Sequence, residues 1–336
     1  TPNQKKMSSL QSFAFILILI ILFFDICESN DCSNPSKTIT VNQSGKANFK
    51  TIQSAIDSVP EGNSQWIHIQ ISSGVYKEQI YIPRNKPCIY LEGFSRQTTS
   101  VEWSIHENAT FETRANNTAA KGITFANTLN SPVLEVNGIT QGVAARIRAD
   151  KCVFYDCGFL GVQDTLFSDI GRHYFKKCFI QGGVDFIFGN GQSIFEDSNI
   201  FFWMGRNGPK SDGVITAHYR KSPDDPSGFV FNRCKISGYG GKFELGRAME
   251  AYARVIVANS YVSDSVKPEG WSPRLCVGHE ANLTFVEEKC FGGGADKSKR
   301  VKWMKSLSGD ELNKFLSLSF IDQEGWISKL PTNMFS

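Results

Sequence analysis

No cysteine pair in the sequence has the C-x-x-C spacing of a zinc or dithiol centre, although nine cysteines are present. That absence excludes a zinc ribbon or a thioredoxin-like centre. Lys and Arg never form the runs that track nucleic-acid phosphates. Their 36 charges against 33 acidic ones leave a net +3, which permits an anionic polymer partner without demanding one. The five histidines (His68, His106, His173, His218, His279) show no metal-ligand spacing, and no G-x-S-x-G elbow offers them a serine to activate. No Pro-, Ser- or Gly-rich linker divides the chain, so one large domain is expected. An apolar run from Phe13 to Phe24 spans twelve residues, the length of a signal-peptide core and short for a membrane span. Residues 1–29 are therefore read as a leader cleaved near Cys27–Ser29, with an uncleaved anchor as the alternative, and residues 30–336 as the mature domain.

What the chain does have is a stretch from Gln163 to Asn190 in which two carboxylates, Asp164 and Asp185, stand among apolar and aromatic neighbours. Burying a carboxylate costs several kcal/mol or raises its pKa, so such residues usually have a partner or a task. They lie 21 residues apart, as do Cys157 and Cys178, and Phe154 and Phe175. A recurrence of that size predicts stacked solenoid coils that would bring the two aspartates together on one face. Short β-branched and aromatic runs ending at Gly, Asn or Asp continue through most of the chain, among them WIHIQI, CIYLEG, DFIFGN and GFVFNRCKI. Their spacing near twenty residues favours a parallel β-helix over a sandwich. Ile52, Ala55, Ile56 and Val59 have helical spacing and could cap one end, while Ser308 and Glu311 mark a second helix that could close the other. Cys157 and Cys178, on adjacent coils, are the best candidates for a disulfide, with two buried free thiols as the alternative. Four sequons, at Asn42, Asn108, Asn116 and Asn282, suit a secreted chain.

Across roughly residues 38 to 330, the segments FKTIQSAIDSVP, GVYKEQIYIP, GVQDTLF, GGVDFIFGN, LGRAM and KPEGW stand in that order. Through them the chain resembles the plant pectin methylesterases (carbohydrate esterase family 8), in their short form without a long pro-region. The resemblance implies a right-handed single-stranded parallel β-helix with short capping helices. It also implies a secreted, monomeric cell-wall enzyme that removes methyl esters from pectin homogalacturonan without a metal or other cofactor. Proteinaceous pectinesterase inhibitors are a further partner class, while nucleic acid and, after cleavage of the leader, membrane are not expected. By the matching motifs, Asp185 is the nucleophile and Asp164 the acid and then the base. Arg247 keeps Asp185 ionised, and the amides of Gln141 and Gln163 are oxyanion donors.

The departures surround these positions. Val162 stands where the family has Tyr in GYQDTL, Ala248 and Met249 replace the Pro and Trp of LGRPW, and TAQGR appears as Thr216-Ala217-His218-Tyr219-Arg220. Aromatic faces pack on sugar rings, so the changes at Val162 and Met249 should weaken or alter pectin binding, leaving Trp271 as a candidate sugar platform or else a core tryptophan. Cys234 has Ser198 where a bridging partner is expected. Two other readings compete with the esterase: a wall-polysaccharide binding protein with little turnover, and another β-helix enzyme, a polygalacturonase or pectate lyase. For these last the further acidic or calcium-binding motifs are missing.

Overall fold

The computed structural model describes residues 32–131, 138–205, 211–331 and 333–335; the leader reading, 1–29, lies outside them. From Cys32 onward the chain forms three parallel sheets, of ten, eight and eight strands. Ser33–Val41 pairs with the next strand, Gln65–Ile71; from there on each strand pairs with the third one after it, so each complete turn of the coil contributes one strand to each sheet. The architecture is a right-handed parallel β-helix.

The spacing of the aromatics explains the stack. Phe154 pairs in register with Phe175, Phe175 with Phe195, and Phe195 with Phe231. Their rings lie nearly parallel with centroids 5.2, 4.7 and 4.5 Å apart. All four are buried. Each such pair adds about 0.5–1.5 kcal/mol beyond its burial, so one inward-facing row both holds the coils and sets their register.

Helix α1 (Ile52–Asp57), N-capped by the Thr51 side chain, buries Ile52, Ala55 and Ile56 at the first coils, as expected of an end cap. Helix α2 (Gly309–Leu316) has the expected capping box between Ser308 and Glu311, but it does not close the opposite end. Leu312 instead packs on the outer face of the ten-stranded sheet, in a second apolar cluster with Tyr174, Ile194, Val230 and Trp326. The far end is covered by Val301, Trp303 and Met304, which pack on the core.

The disulfide expectation is corrected. Cys157 and Cys178 do stack on adjacent coils, where Phe179 donates its amide to the Cys157 carbonyl at 2.8 Å. They remain buried free thiols, because side chains in one inward row run parallel and do not converge. Their sulfurs lie 3.5 Å from the Tyr155 carbonyl and 3.4 Å from the Phe154 carbonyl, respectively. Among the described residues the disulfide is Cys32–Cys88. Cys234 is also a free thiol, as the serine at 198 led one to expect.

Candidate active site

The site lies on the second eight-stranded sheet, whose strands along the stack are β1 (Ile80–Ile82), β2 (Ala109–Thr113), β3 (Val143–Arg148), β4 (Leu166–Ile170), β5 (Val184–Gly189), β6 (Gly213–His218), β7 (Phe243–Ala248) and β8 (Trp271–Ser272). Gln163 bridges to Val184, and Leu166 pairs with Ile187. Both pairs keep the same offset, so Asp164 sits directly over Asp185, as the 21-residue recurrence predicted. Gln141 bridges to Gln163 one coil earlier.

Local backbone geometry turns both carboxylates the same way. Asp164 has φ +60° and Asp185 φ +46°, a left-handed conformation that Asp tolerates better than most residues. At β5 the register slips by one residue against β6 between Val184 and Ile187. Such a bulge re-aims the side chain it carries, here Asp185.

Both aspartates are nearly buried. Arg247 Nη2 donates to Asp185 Oδ2, while Asp185 Oδ1 and Arg247 Nε are buried without a hydrogen-bond partner. The ion pair is thus one-armed, not a bidentate fork, and one carboxylate oxygen of Asp185 is left unengaged. Burial pushes the Asp185 carboxyl above its usual range, opposed by Arg247 and more weakly by Arg274. Asp164 is pushed up to about 7, first by burial and then by the charge of Asp185, while Arg247 and the Gln141 side-chain amide oppose the rise. The two carboxyls are therefore unequal. One has a guanidinium beside it, and the other faces a neighbouring negative charge, which suits one to stay ionised and the other to carry a proton.

Beside Asp164 runs a groove of about 420 Å³, lined among others by Gln141, Asn108, Arg146, Phe167 and Phe188. Phe167 and Phe188 stack at 4.2 Å, and the Arg146 guanidinium lies 4.7 Å over the Phe167 ring. These rings were not singled out from the sequence; the alternation in β4, where Phe167 stands between the buried Leu166 and Ser168, was the available signal. Among the described residues no group of three or more His, Cys, Asp or Glu side chains could hold a metal ion.

Two sugar-contact expectations are corrected. Trp271 is buried in the core, stacked on Phe285 at 4.8 Å and donating from Nε1 to Glu287 Oε1 at 2.9 Å. It offers no face to a sugar. Val162 is likewise interior, a part of the apolar core. Met249 is half-buried beside Arg247.

A parallel β-helix that presents two unequal, stacked carboxylates and an arginine on one sheet face holds groups suited to nucleophilic and acid–base chemistry. Comparisons with known proteins give the family. The pectinesterase family model matches residues 38–324. Probable pectinesterase 29 of Arabidopsis thaliana is 48% identical over 300 residues, covering 87% of this chain and 89% of the relative. Probable pectinesterase 55 of the same plant is 46% identical, with 87% and 91% covered. Pectin methylesterase from carrot superposes with a TM-score of 0.81 at 29% identity, over 88% of this chain and 95% of that one. The chain belongs to the pectinesterase family and is a carboxylic ester hydrolase.

Proposed function

We propose that this chain hydrolyses the methyl esters of galacturonosyl units in cell-wall pectin by a two-step acyl transfer, with residues 30–336 as the catalytic domain, acting as a monomer. Asp185 attacks the ester carbonyl carbon through Oδ1. The bond to the methoxy oxygen breaks, and Asp164 gives that oxygen its proton, so methanol leaves and an anhydride joins the sugar acyl group to Asp185. Asp164, now charged, takes a proton from water as the water attacks the anhydride. The galacturonic acid leaves and gives its remaining proton to solvent, Asp185 is regenerated as carboxylate, and Asp164 is protonated again. The Gln141 and Gln163 amides serve the oxyanion in both steps. Arg247 holds Asp185 ionised by one oxygen while leaving the other to react.

The observation that carries this reading is the stacked aspartate pair with its one-armed arginine. The test is methanol release from highly methylated pectin by residues 30–336, alongside a folded Asp185→Ala variant. The wild type should release methanol without added metal, and the variant should lose about four orders of magnitude in kcat. A folded wild type that binds pectin yet releases none would leave a wall-polysaccharide binder instead.

Secretion to the cell wall is part of the same proposal. It is supported by the Cys32–Cys88 disulfide, which persists in oxidising compartments, and by sequons at the exposed residues Asn108, Asn116 and Asn282. Asn42, the fourth, is half-buried and donates to Ser72 Oγ. Loss of mass on enzymatic deglycosylation of the plant-expressed protein is the expected result. Family inhibitor proteins are candidate partners at the same groove.

A further inference from the structure

Tyr219 stands beside Met249, which takes the place of the Trp in LGRPW. It follows β6 directly and donates its amide to the Gly189 carbonyl at 3.0 Å. His218 pairs with Gly189 on one side and Ala248 on the other, so Tyr219 stands opposite Met249 on the next coil. Met249 in turn donates its amide to the His218 carbonyl at 3.1 Å. Ala217 pairs with Arg247. By the two-residue alternation of a strand, Tyr219 therefore shares the outer face that bears Arg247 and Met249.

The residues on either side of Tyr219 are anchored. The His218 ring is buried, accepts the Arg254 amide at Nδ1 (3.2 Å) and meets Phe229 edge-on at 4.6 Å. Arg220 is buried and donates from Nε to the Asp225 carbonyl (2.7 Å) and from Nη1 to that of Tyr252 (3.1 Å). Tyr219 itself is half-buried, and its hydroxyl makes no hydrogen bond among the described residues. It also lies within electrostatic reach of both catalytic carboxylates, whose charges, after burial, raise its phenol pKa. A rigidly mounted ring with a phenol kept protonated, beside the reacting pair, is a surface for a sugar ring rather than an acid or base for the chemistry.

We propose that Tyr219 is a specificity residue of this chain: its ring packs on the pyranose face of the galacturonosyl unit at or next to the reacting ester, taking the place on the neighbouring coil of the ring absent at Met249. The inference rests on the esterase reading above, so wild-type methanol release is measured first, and its absence would count against that reading alone. With an active wild type, kcat and KM on methylated pectin are then compared for Tyr219→Ala, Tyr219→Gly, Tyr219→Phe and the double variant Tyr219→Gly/Met249→Trp, each checked for an unchanged Tm.

The expected result is a KM raised about tenfold for Tyr219→Ala with kcat held within about threefold. Tyr219→Phe should keep the wild-type KM, and the double variant should recover most of what Tyr219→Gly alone loses. Where Tyr219→Ala lowers Tm, Tyr219→Leu, which keeps the bulk but not the ring, replaces it. An unchanged KM in a folded variant overturns the proposal. So does a loss of kcat shared by Tyr219→Phe, since that would place the phenol in the chemistry.

Discussion

At the scale of residues, the proposed division of labour between Asp164 and Asp185 rests on what each one touches. Burial raises both carboxyls, but the arginine on one oxygen of Asp185 opposes the rise, while the charge of Asp185 adds to it at Asp164. With Asp164 near 7, the alkaline limb of the kcat/KM profile should fall close to pH 7 and move in a variant that removes the Arg247 charge. The same shift has a stability consequence. Between about pH 4 and 7 the folded state keeps a proton that the unfolded chain has released, so stability falls as pH rises through that window, by about 1.4 kcal/mol per unit at most. Asp164→Asn should therefore be inactive yet gain stability relative to the wild type between pH 5 and pH 8 in urea unfolding; an equal difference at both pH values would contradict the raised pKa. The pair and its motifs were legible in the sequence because carboxylates among apolar residues are rare. Which way Trp271 and Val162 face was not. A tryptophan in a short two-residue strand carries no alternation from which to read a face, and its neighbours Glu287 and Arg300 come from later coils.

At the scale of elements, the 21-residue recurrence made the coils visible where Phe154 meets Phe175, whereas Phe231 stacks on Phe195 across a longer loop and shows no such period. The function of α2 was less visible, since a capping box defines where a helix starts and says nothing about which surface it covers. Beneath the site, β8 is held by a buried cluster. Trp271 Nε1 and Arg300 Nε both donate to Glu287 Oε1, at 2.9 and 2.7 Å, and Arg300 Nη2 donates to Glu287 Oε2 at 3.0 Å. Because Arg247 pairs with Ser272 in β8, this cluster supports the strand that carries the arginine. Arg300→Ala would leave Glu287 charged and unpaired in the interior, and breaking a buried pair from one side costs about 3–5 kcal/mol. The expected outcome is that loss in chemical denaturation, with kcat falling more than KM rises as Arg247 loses its support. Glu287→Gln/Arg300→Met, which removes both charges, should recover most of the stability.

At the scale of the whole molecule, a solenoid is stable coil upon coil, and its terminal coils are where opening begins. Two devices restrain the first coils here. Cys32–Cys88 ties the strand Ser33–Val41 to the coil that begins Ile89–Gly93, across 56 residues. The C-terminal segment runs back along the outer face of the ten-stranded sheet until the Lys329 carbonyl accepts the Trp66 indole N–H at 3.1 Å. The strand Cys152–Tyr155, on the coil that leads into Asp164, lies four strand positions from Ser33–Val41 in that sheet, or about 19 Å at the usual strand spacing. That distance separates stability from catalysis. Removing the cross-link in a Cys32→Ala/Cys88→Ala variant restores the closure entropy of a long loop to the unfolded chain, a loss of about 4 kcal/mol if unfolding is all-or-none. If the first coil instead opens by itself, the loss in global stability is smaller, and amide exchange in residues 33–41 rises well before exchange in β4 and β5. In both cases kcat and KM at 25 °C should match the wild type, because no group that meets the ester lies on the coil set free. Exchange that rises together at Ser33–Val41 and at Val184–Gly189, with activity lost in step, would show instead that the β-helix transmits strain along its length and that the site depends on its distant end.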